Sequence, residues 1–257
     1  MKNIIDVSDY QGVIDWEKVK PQIDGVMIRG GWSYGEEGMD KQFKRNITEC
    51  NRLGIPCGVY WFSYAISDEE AKLEAEWCLE QVKPYRLEMP IAWDYENAST
   101  DYAKRQGITV TKEMVTRWAH IFLGAIEKAG YWGTLYSNRD YLTRFFAKDI
   151  EKRFDLWYAA WVSADEATYD SKLSYSCGMW QYGYKKYDGI QGNVDSNYCY
   201  KDYPSLLKQL GLNHLDRPLY TPSQAWAIEQ GITDGSDGDE AVTKAELWEA
   251  LYKIHNK

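Results

Sequence analysis

The first half of the chain alternates short apolar runs with amphipathic helical stretches, and this order limits the fold more tightly than any other feature. Strands are expected over Asn3–Val7, Gly25–Arg29, Ile55–Tyr64, Met89–Glu96 and Gly133–Ser137. Between them, Asp15 is placed to cap a short helix through Trp16 and Val19, and a longer helix runs from about Asp40 to Leu53 before Gly54. Ser67-Asp-Glu-Glu70 has capping-box spacing and opens a helix to about Val82. Thr111 to Ala129 carries Met114, Trp118, Ile121, Phe122 and Ile126 on one stripe. Such alternation implies parallel strands with helices outside. The second half crowds its strands, at Leu156–Trp161, Gly178–Tyr182 and Gly192–Tyr198, with short helices at Tyr141–Phe146 and Pro204–Leu210. The eight strands predict an α/β fold, an irregular TIM-like barrel of about five β/α units followed by three further strands. At 257 residues the chain has room for that barrel over 1–211 and a linker with a small helical appendage over 212–257.

In such barrels reactive groups gather at the C-terminal ends of strands. The run Met89-Pro-Ile-Ala-Trp-Asp-Tyr-Glu96 ends in two carboxylates. Strand alternation turns Asp94 and Glu96 one way and Trp93 and Tyr95 the other. Two acids on one buried face repel each other and lose solvation, which raises at least one pKa toward the range a proton donor needs. Taken alone, the pair reads equally well as solvated acids at a strand–loop junction. Asp6 and Asp195 are expected at the same end of the barrel, although Asp195 lies earlier in its strand, and convergence of four acids favours a site.

Aromatic residues make up 15% of the chain, with 12 Trp and 21 Tyr against 6 Phe, a bias that suits a groove for sugar rings. Tyr60, Phe62 and Tyr64 share a strand face and are candidates to line it. Tyr136, Trp157, Trp180 and Gln181 lie on later strands and are candidates for stacking or hydrogen bonding, with plain packing the equal alternative for each ring. Arg29 is placed either to pair with the acid cluster or, ranked ahead, to stand solvated at its strand end, and Asn138 reads as a helix cap. The net charge of -9 argues against nucleic acid as a partner. Five cysteines without a CxxC pair, and three histidines without metal-site spacing, predict free thiols, no metal and no cofactor. No apolar run reaches the roughly 20 residues of a membrane helix, and the N-terminus reads as a strand rather than a signal peptide.

Several segments resemble glycoside hydrolase family 25, the Chalaropsis-type lysozymes of bacteria and phage endolysins. They are Ile5-Asp6-Val7-Ser8 with Tyr10-Gln11-Gly12, Gly58-Val-Tyr-Trp-Phe-Ser-Tyr64, Pro90-Ile-Ala-Trp-Asp-Tyr-Glu96, Leu135-Tyr-Ser-Asn138, Leu156-Trp-Tyr-Ala-Ala-Trp161, Met179-Trp-Gln-Tyr182 and Val194-Asp195. The resemblance covers roughly residues 3–210. It implies an N-acetylmuramidase that cuts the β-1,4 bond between N-acetylmuramic acid and N-acetylglucosamine in bacterial peptidoglycan. It also implies Glu96 as general acid, Asp94 as the group that orients the acetamido or stabilises positive charge, and Asp6 and Asp195 as the rest of an acidic floor. Same-face residues two apart on a strand have Cβ atoms roughly 6.5–7 Å apart, a spacing that leaves retention and inversion both open. A substrate-assisted route is the favoured one. Such an enzyme would be made in the cytoplasm and act on the wall after release or secretion.

Ala225-Trp-Ala-Ile-Glu-Gln-Gly-Ile-Thr-Asp-Gly235 and Val242-Thr-Lys-Ala-Glu246 resemble part of one S-layer homology repeat. Packing or a homodimer contact is ranked ahead of wall binding for this tail. The loop Asp234-Gly-Ser-Asp-Gly-Asp-Glu240 fails the EF-hand spacing and reads as a solvated turn. Two other functions compete with the hydrolase: a non-catalytic wall-carbohydrate binder on the same barrel, and a chitinase-like enzyme. The DxDxE pattern of the latter would need an aspartate where Ala92 stands.

Overall fold

The computed structural model describes residues 2–148, 150–161 and 175–215. Eight strands close in sequence order into one barrel: β1 (Lys2–Val7), β2 (Gly25–Trp32), β3 (Cys57–Phe62), β4 (Ile91–Asp94), β5 (Gly133–Asn138), β6 (Asp155–Ala159), β7 (Met179–Lys185) and β8 (Val194–Cys199). Strands β1 to β7 run parallel, and β8 is antiparallel to both β7 and β1. The expected irregular barrel is thus the observed one.

The described α-helices are α1 (Trp16–Val19), α2 (Phe43–Leu53), α3 (Asp68–Val82), α4 (Asn97–Arg105), α5 (Lys112–Lys128), α6 (Arg139–Arg144), α7 (Ile150–Arg153) and α8 (Tyr203–Leu210). Their starts follow local chemistry. The side chains of Asp15, Ser67, Thr111 and Asn138 each accept a backbone N–H of the first turn. Gly54 ends α2 at φ 66°, a left-handed conformation that costs glycine nothing. On α5 the buried face is Val115, Trp118, Ala119, Phe122, Leu123 and Ile126, with Met114 and Ile121 at its margin.

Strand alternation sorts side chains into two compartments. Val26, Ile28, Val59, Trp61, Trp93 and Leu135 face outward into the main core, while Ile4, Met27, Ala92, Trp157 and Met179 fill the barrel interior. Tyr203 and Leu207 of α8 pack with Leu215 against that interior cluster and close the N-terminal end. Tyr203 OH donates to Asp155 Oδ2 at 2.7 Å, and Lys201 Nζ reaches the same oxygen at 2.8 Å.

The stretch expected to begin a linker at Leu212 is instead bound to the barrel. Asn213 Nδ2 donates to the carbonyls of Leu87 and Met89, and its Oδ1 accepts the Trp132 N–H. The compact unit therefore continues past Gly211 through Leu215. The S-layer-like segments, the Asp/Gly loop and the expected dimer contact lie outside the described residues. All five cysteines are free and buried. No described helix is long and apolar enough to cross a membrane.

Candidate active site

Strand β4 ends at Asp94, but the backbone stays extended through Glu96, at φ -133° and ψ -166°, so alternation carries one residue pair past the strand. Tyr95 stacks on Trp93 on the outer side, with ring centroids 5.4 Å apart. Glu96 is the N-cap of α4, and its N–H donates to Ser99 Oγ at 3.1 Å. A strand end and a helix start thus present Asp94 and Glu96 together at the barrel mouth.

The other two acids arrive by a different route. Asp6 on β1 pairs in register with Asp195 on β8, and directly opposed residues project from the same side of a sheet. Because β8 runs antiparallel to its neighbours, its beginning lies at the mouth. This is why Asp195, early in its strand, joins acids that sit late in theirs.

All four carboxyls line one cavity of about 230 Å³, together with Tyr60, Phe62, Tyr136, Trp157 and Gln181. Two amides hold Asp6: Asn197 Nδ2 and Gln181 Nε2 donate to its Oδ2 at 2.8 and 3.1 Å. Gln181 Oε1 accepts from Tyr136 OH at 2.9 Å and from the Trp161 indole N–H at 3.0 Å. Asn197 Oδ1 accepts from the Trp157 indole at 2.7 Å.

Every one of these carboxyls holds its proton more tightly than a solvated acid. Asp6 is pushed up to about 7, by burial first and by Asp195 second, against the pull of the two amides. Asp94 is raised well above the carboxylate range by burial, then by the charges of Glu96 and Asp6, with Arg29 opposing. Burial raises Glu96, with Asp195 adding to it, and burial raises Asp195. Asp94 Oδ1 is buried without a hydrogen-bond partner. A buried acceptor left unpaired is a costly feature in a folded protein, and here it lies among the cavity-lining acids.

Three sequence expectations need correction. Trp180 is not in the cavity: it is buried on the outer face of β7, where its indole donates to the Ala160 carbonyl at 2.9 Å. Its neighbours Met179 and Gln181 take the inward positions. Tyr64 lies outside the lining, and its ring bridges Phe62 and Tyr102 at 5.2 Å to each. Arg29 is not solvated. Its Nε donates to Asp40 at 2.8 Å, a second nitrogen meets Asp9, and its guanidinium lies over the rings of Tyr10 and Trp32. Strand parity with Met27 already pointed Arg29 inward, but its partners are distant in sequence. Tyr10, Asn197 and Trp161 were not singled out. For Asn197 the signal was its two-residue offset from Asp195.

A closed barrel that gathers two buried and two half-buried carboxyls with Tyr and Trp at its mouth has the architecture of a glycoside-cleaving enzyme. Residues 5–189 match the glycosyl hydrolases family 25, and the chain belongs to that family. The modular autolysin LytC of Streptococcus pneumoniae, solved with a synthetic peptidoglycan ligand, is similar at 34% identity and a TM-score of 0.65. That likeness covers 76% of this chain and 46% of LytC, so the chain spans under half of LytC's length. A family 25 glycosyl hydrolase of Bacillus anthracis matches at 24% identity and TM-score 0.65, over 81% of this chain and 93% of its own. The catalytic domain of endolysin ply40, from bacteriophage P40 of Listeria monocytogenes, matches at 21% identity and TM-score 0.65, over 81% and 97%. At these last two identities the likeness is one of fold. No curated protein matches the chain.

Proposed function

We propose that the chain is a lysozyme of the N-acetylmuramidase type, which cuts the β-1,4 bond from N-acetylmuramic acid to N-acetylglucosamine in bacterial peptidoglycan. The observation that carries this reading is the set of four acids in one cavity, with Asp94 raised by burial and by the Glu96 charge, and Glu96 raised by burial and by Asp195. A glycosidic bond breaks when one carboxyl is protonated beside the leaving oxygen and negative charge faces the oxocarbenium-like centre.

Glu96 is assigned the proton donor and Asp94 the group that orients the substrate's acetamido. The acetamido oxygen attacks the anomeric carbon as the bond to the leaving oxygen breaks, and that oxygen takes the Glu96 proton. Water then opens the cyclic intermediate and returns a proton to Glu96. Two displacements at one carbon give net retention. Asp6 and Asp195 supply further negative potential toward the developing cation. The reading has the enzyme made in the cytoplasm and acting on the wall after release or secretion, with packing or a dimer contact assigned to the tail.

Digestion of purified peptidoglycan tests it. New reducing ends should be muramic acid, with the anomeric configuration retained in the first product. Reducing-end glucosamine refutes the bond assignment, and inversion refutes the acetamido route. Binding without cleavage at any pH makes the protein a wall-carbohydrate binder.

A further inference from the structure

We propose that Trp161 and Tyr184 form a sugar-stacking platform beside the acid cavity, and that the Trp161 indole transmits its occupancy to Asp6 through Gln181. The ligand would be a saccharide further along the same β-1,4-linked amino-sugar chain, so the proposal rests on the glycan reading above.

The platform is built by a fault in the sheet. The β7–β8 register shifts between Gln181 and Gly183, and Gly183 has φ 151°. An extra residue at that point re-aims whatever follows it. After the shift Tyr184 stands opposite Asp195 and shares its face, whereas an unbroken strand would not have set Gln181 and Tyr184 on one side. Trp161 arrives from the end of β6, two residues past Ala159. The two rings meet edge to face with centroids 5.8 Å apart, yet remain 57% and 53% exposed. An edge-to-face contact leaves broad apolar ring surface open, and paired open rings next to a polar cavity suit the C–H face of a pyranose.

The indole of Trp161 also has a structural task. An indole N–H can only donate, so its bond to Gln181 Oε1 fixes which end of that amide is oxygen. The Gln181 NH₂ is thereby turned to Asp6 Oδ2. Trp157 does the same for Asn197, whose NH₂ meets the same oxygen. With Oδ2 accepting twice, a proton on Asp6 resides on Oδ1. The Trp157 arm is buried, while the Trp161 arm ends on the exposed ring. A sugar stacked there restrains the ring, and with it the donor that orients Gln181. Trp161 is thus a positioning residue for Asp6 as well as a binding residue.

Two variants separate the roles. Trp161→Phe keeps a ring and loses the donor; Trp161→Ala loses both. Glycan strands freed of peptide and fractionated by length serve as substrates, and calorimetric binding of uncut strands is measured in a Glu96→Gln background. Trp161→Ala should weaken long-strand binding about five- to tenfold, the scale of one lost aromatic contact, and short-strand binding little. Trp161→Phe should bind long strands within about twofold of the parent. Its kcat/KM profile should move its acidic limb to higher pH, because Asp6 loses part of its support as a carboxylate. Simple loosening of the fold would lower activity at all pH values without moving the limb. An unchanged long-to-short affinity ratio in Trp161→Ala, or an unmoved limb in Trp161→Phe, overturns the proposal. Length-dependent binding that needs Trp161, in a wild-type protein that cuts nothing, supports the platform and refutes the muramidase reading. Cleavage with affinities indifferent to Trp161 refutes the platform alone.

Discussion

Asp6→Asn separates what the acid cluster does from what it costs. Asp6 has its proton affinity raised from an ordinary 3.8 to about 7, with burial the largest cause. In the unfolded chain the carboxyl ionises near 3.8, and in the folded chain it keeps its proton until near 7. The folded state therefore binds the extra proton between those values. Stability is greatest below the lower one, declines as pH rises through the window, and levels off above the upper one. Each tenfold change in proton affinity is worth about 1.4 kcal/mol, so the full shift sets a ceiling of about 4 kcal/mol. Asp94, Glu96 and Asp195 titrate with Asp6, and some of that cost belongs to the group rather than to one member. About 2 kcal/mol is the working expectation. Asparagine is neutral at every pH, and its side-chain oxygen can still accept from Gln181 and Asn197. Urea unfolding of both proteins should give nearly equal stabilities near pH 4, with the variant about 2 kcal/mol more stable near pH 8. The same variant should cut peptidoglycan slowly at both. A stability difference that does not change with pH would refute the reasoning.

Glu96→Gln should abolish turnover of peptidoglycan while leaving binding of uncut wall largely intact; near-normal release of reducing sugar would remove Glu96 from the donor role. Glu74, buried on α3, accepts from Ser63 OH at 2.5 Å and Tyr64 N–H at 2.9 Å, and burial pushes it up to about 8. Glu74→Ala should cost roughly 2–4 kcal/mol in chemical unfolding by leaving both donors unpaired. Glu74→Gln should match wild type near pH 4 and exceed it near pH 8, since the wild-type carboxyl loses stability as pH rises through that window. Asn213→Ala removes three hydrogen bonds at a residue with φ 55°, and should lower stability by roughly 2–3 kcal/mol with kcat unchanged in a peptidoglycan assay.

What could be read from the chain was what local chemistry decides. Caps at Asp15, Ser67 and Thr111 and the stop at Gly54 announce helices within a few residues of themselves, so the first five β/α units were legible. Helix α4 was missed because only Ser99 and Ala103 of it are buried, which leaves no apolar stripe to see. The sequence leaves Trp180 open between groove and packing because Met179, Trp180, Gln181 and Tyr182 are all buried, so hydropathy does not reveal which pair faces the barrel. The inward pair is set by pairing with β6 and β8, a non-local fact. The clamp on Arg29 needs Asp9 and Asp40, which only the closed barrel brings together. Tyr184 depends on a register shift that no composition rule marks, although Gly183 stands at it.

The antiparallel eighth strand is what makes so dense a cluster of acids affordable. A wholly parallel barrel offers strand ends from alternating positions, whereas β8 sets Asp195 directly beside Asp6 and still delivers Cys199 to the opposite end. The two ends then carry opposite burdens. At the mouth, four carboxyls are held above their ordinary proton affinities and one buried oxygen of Asp94 lacks a partner, so folding is opposed there near neutral pH. At the floor, Tyr203 and Lys201 converge on Asp155 and Asn213 satisfies three backbone groups, so folding is favoured there without touching the chemistry. Stability and activity are accordingly separable by position. Changes at the floor should move the unfolding transition and leave the pH profile of cleavage in place, while neutralising an acid at the mouth should raise stability near neutral pH as activity falls.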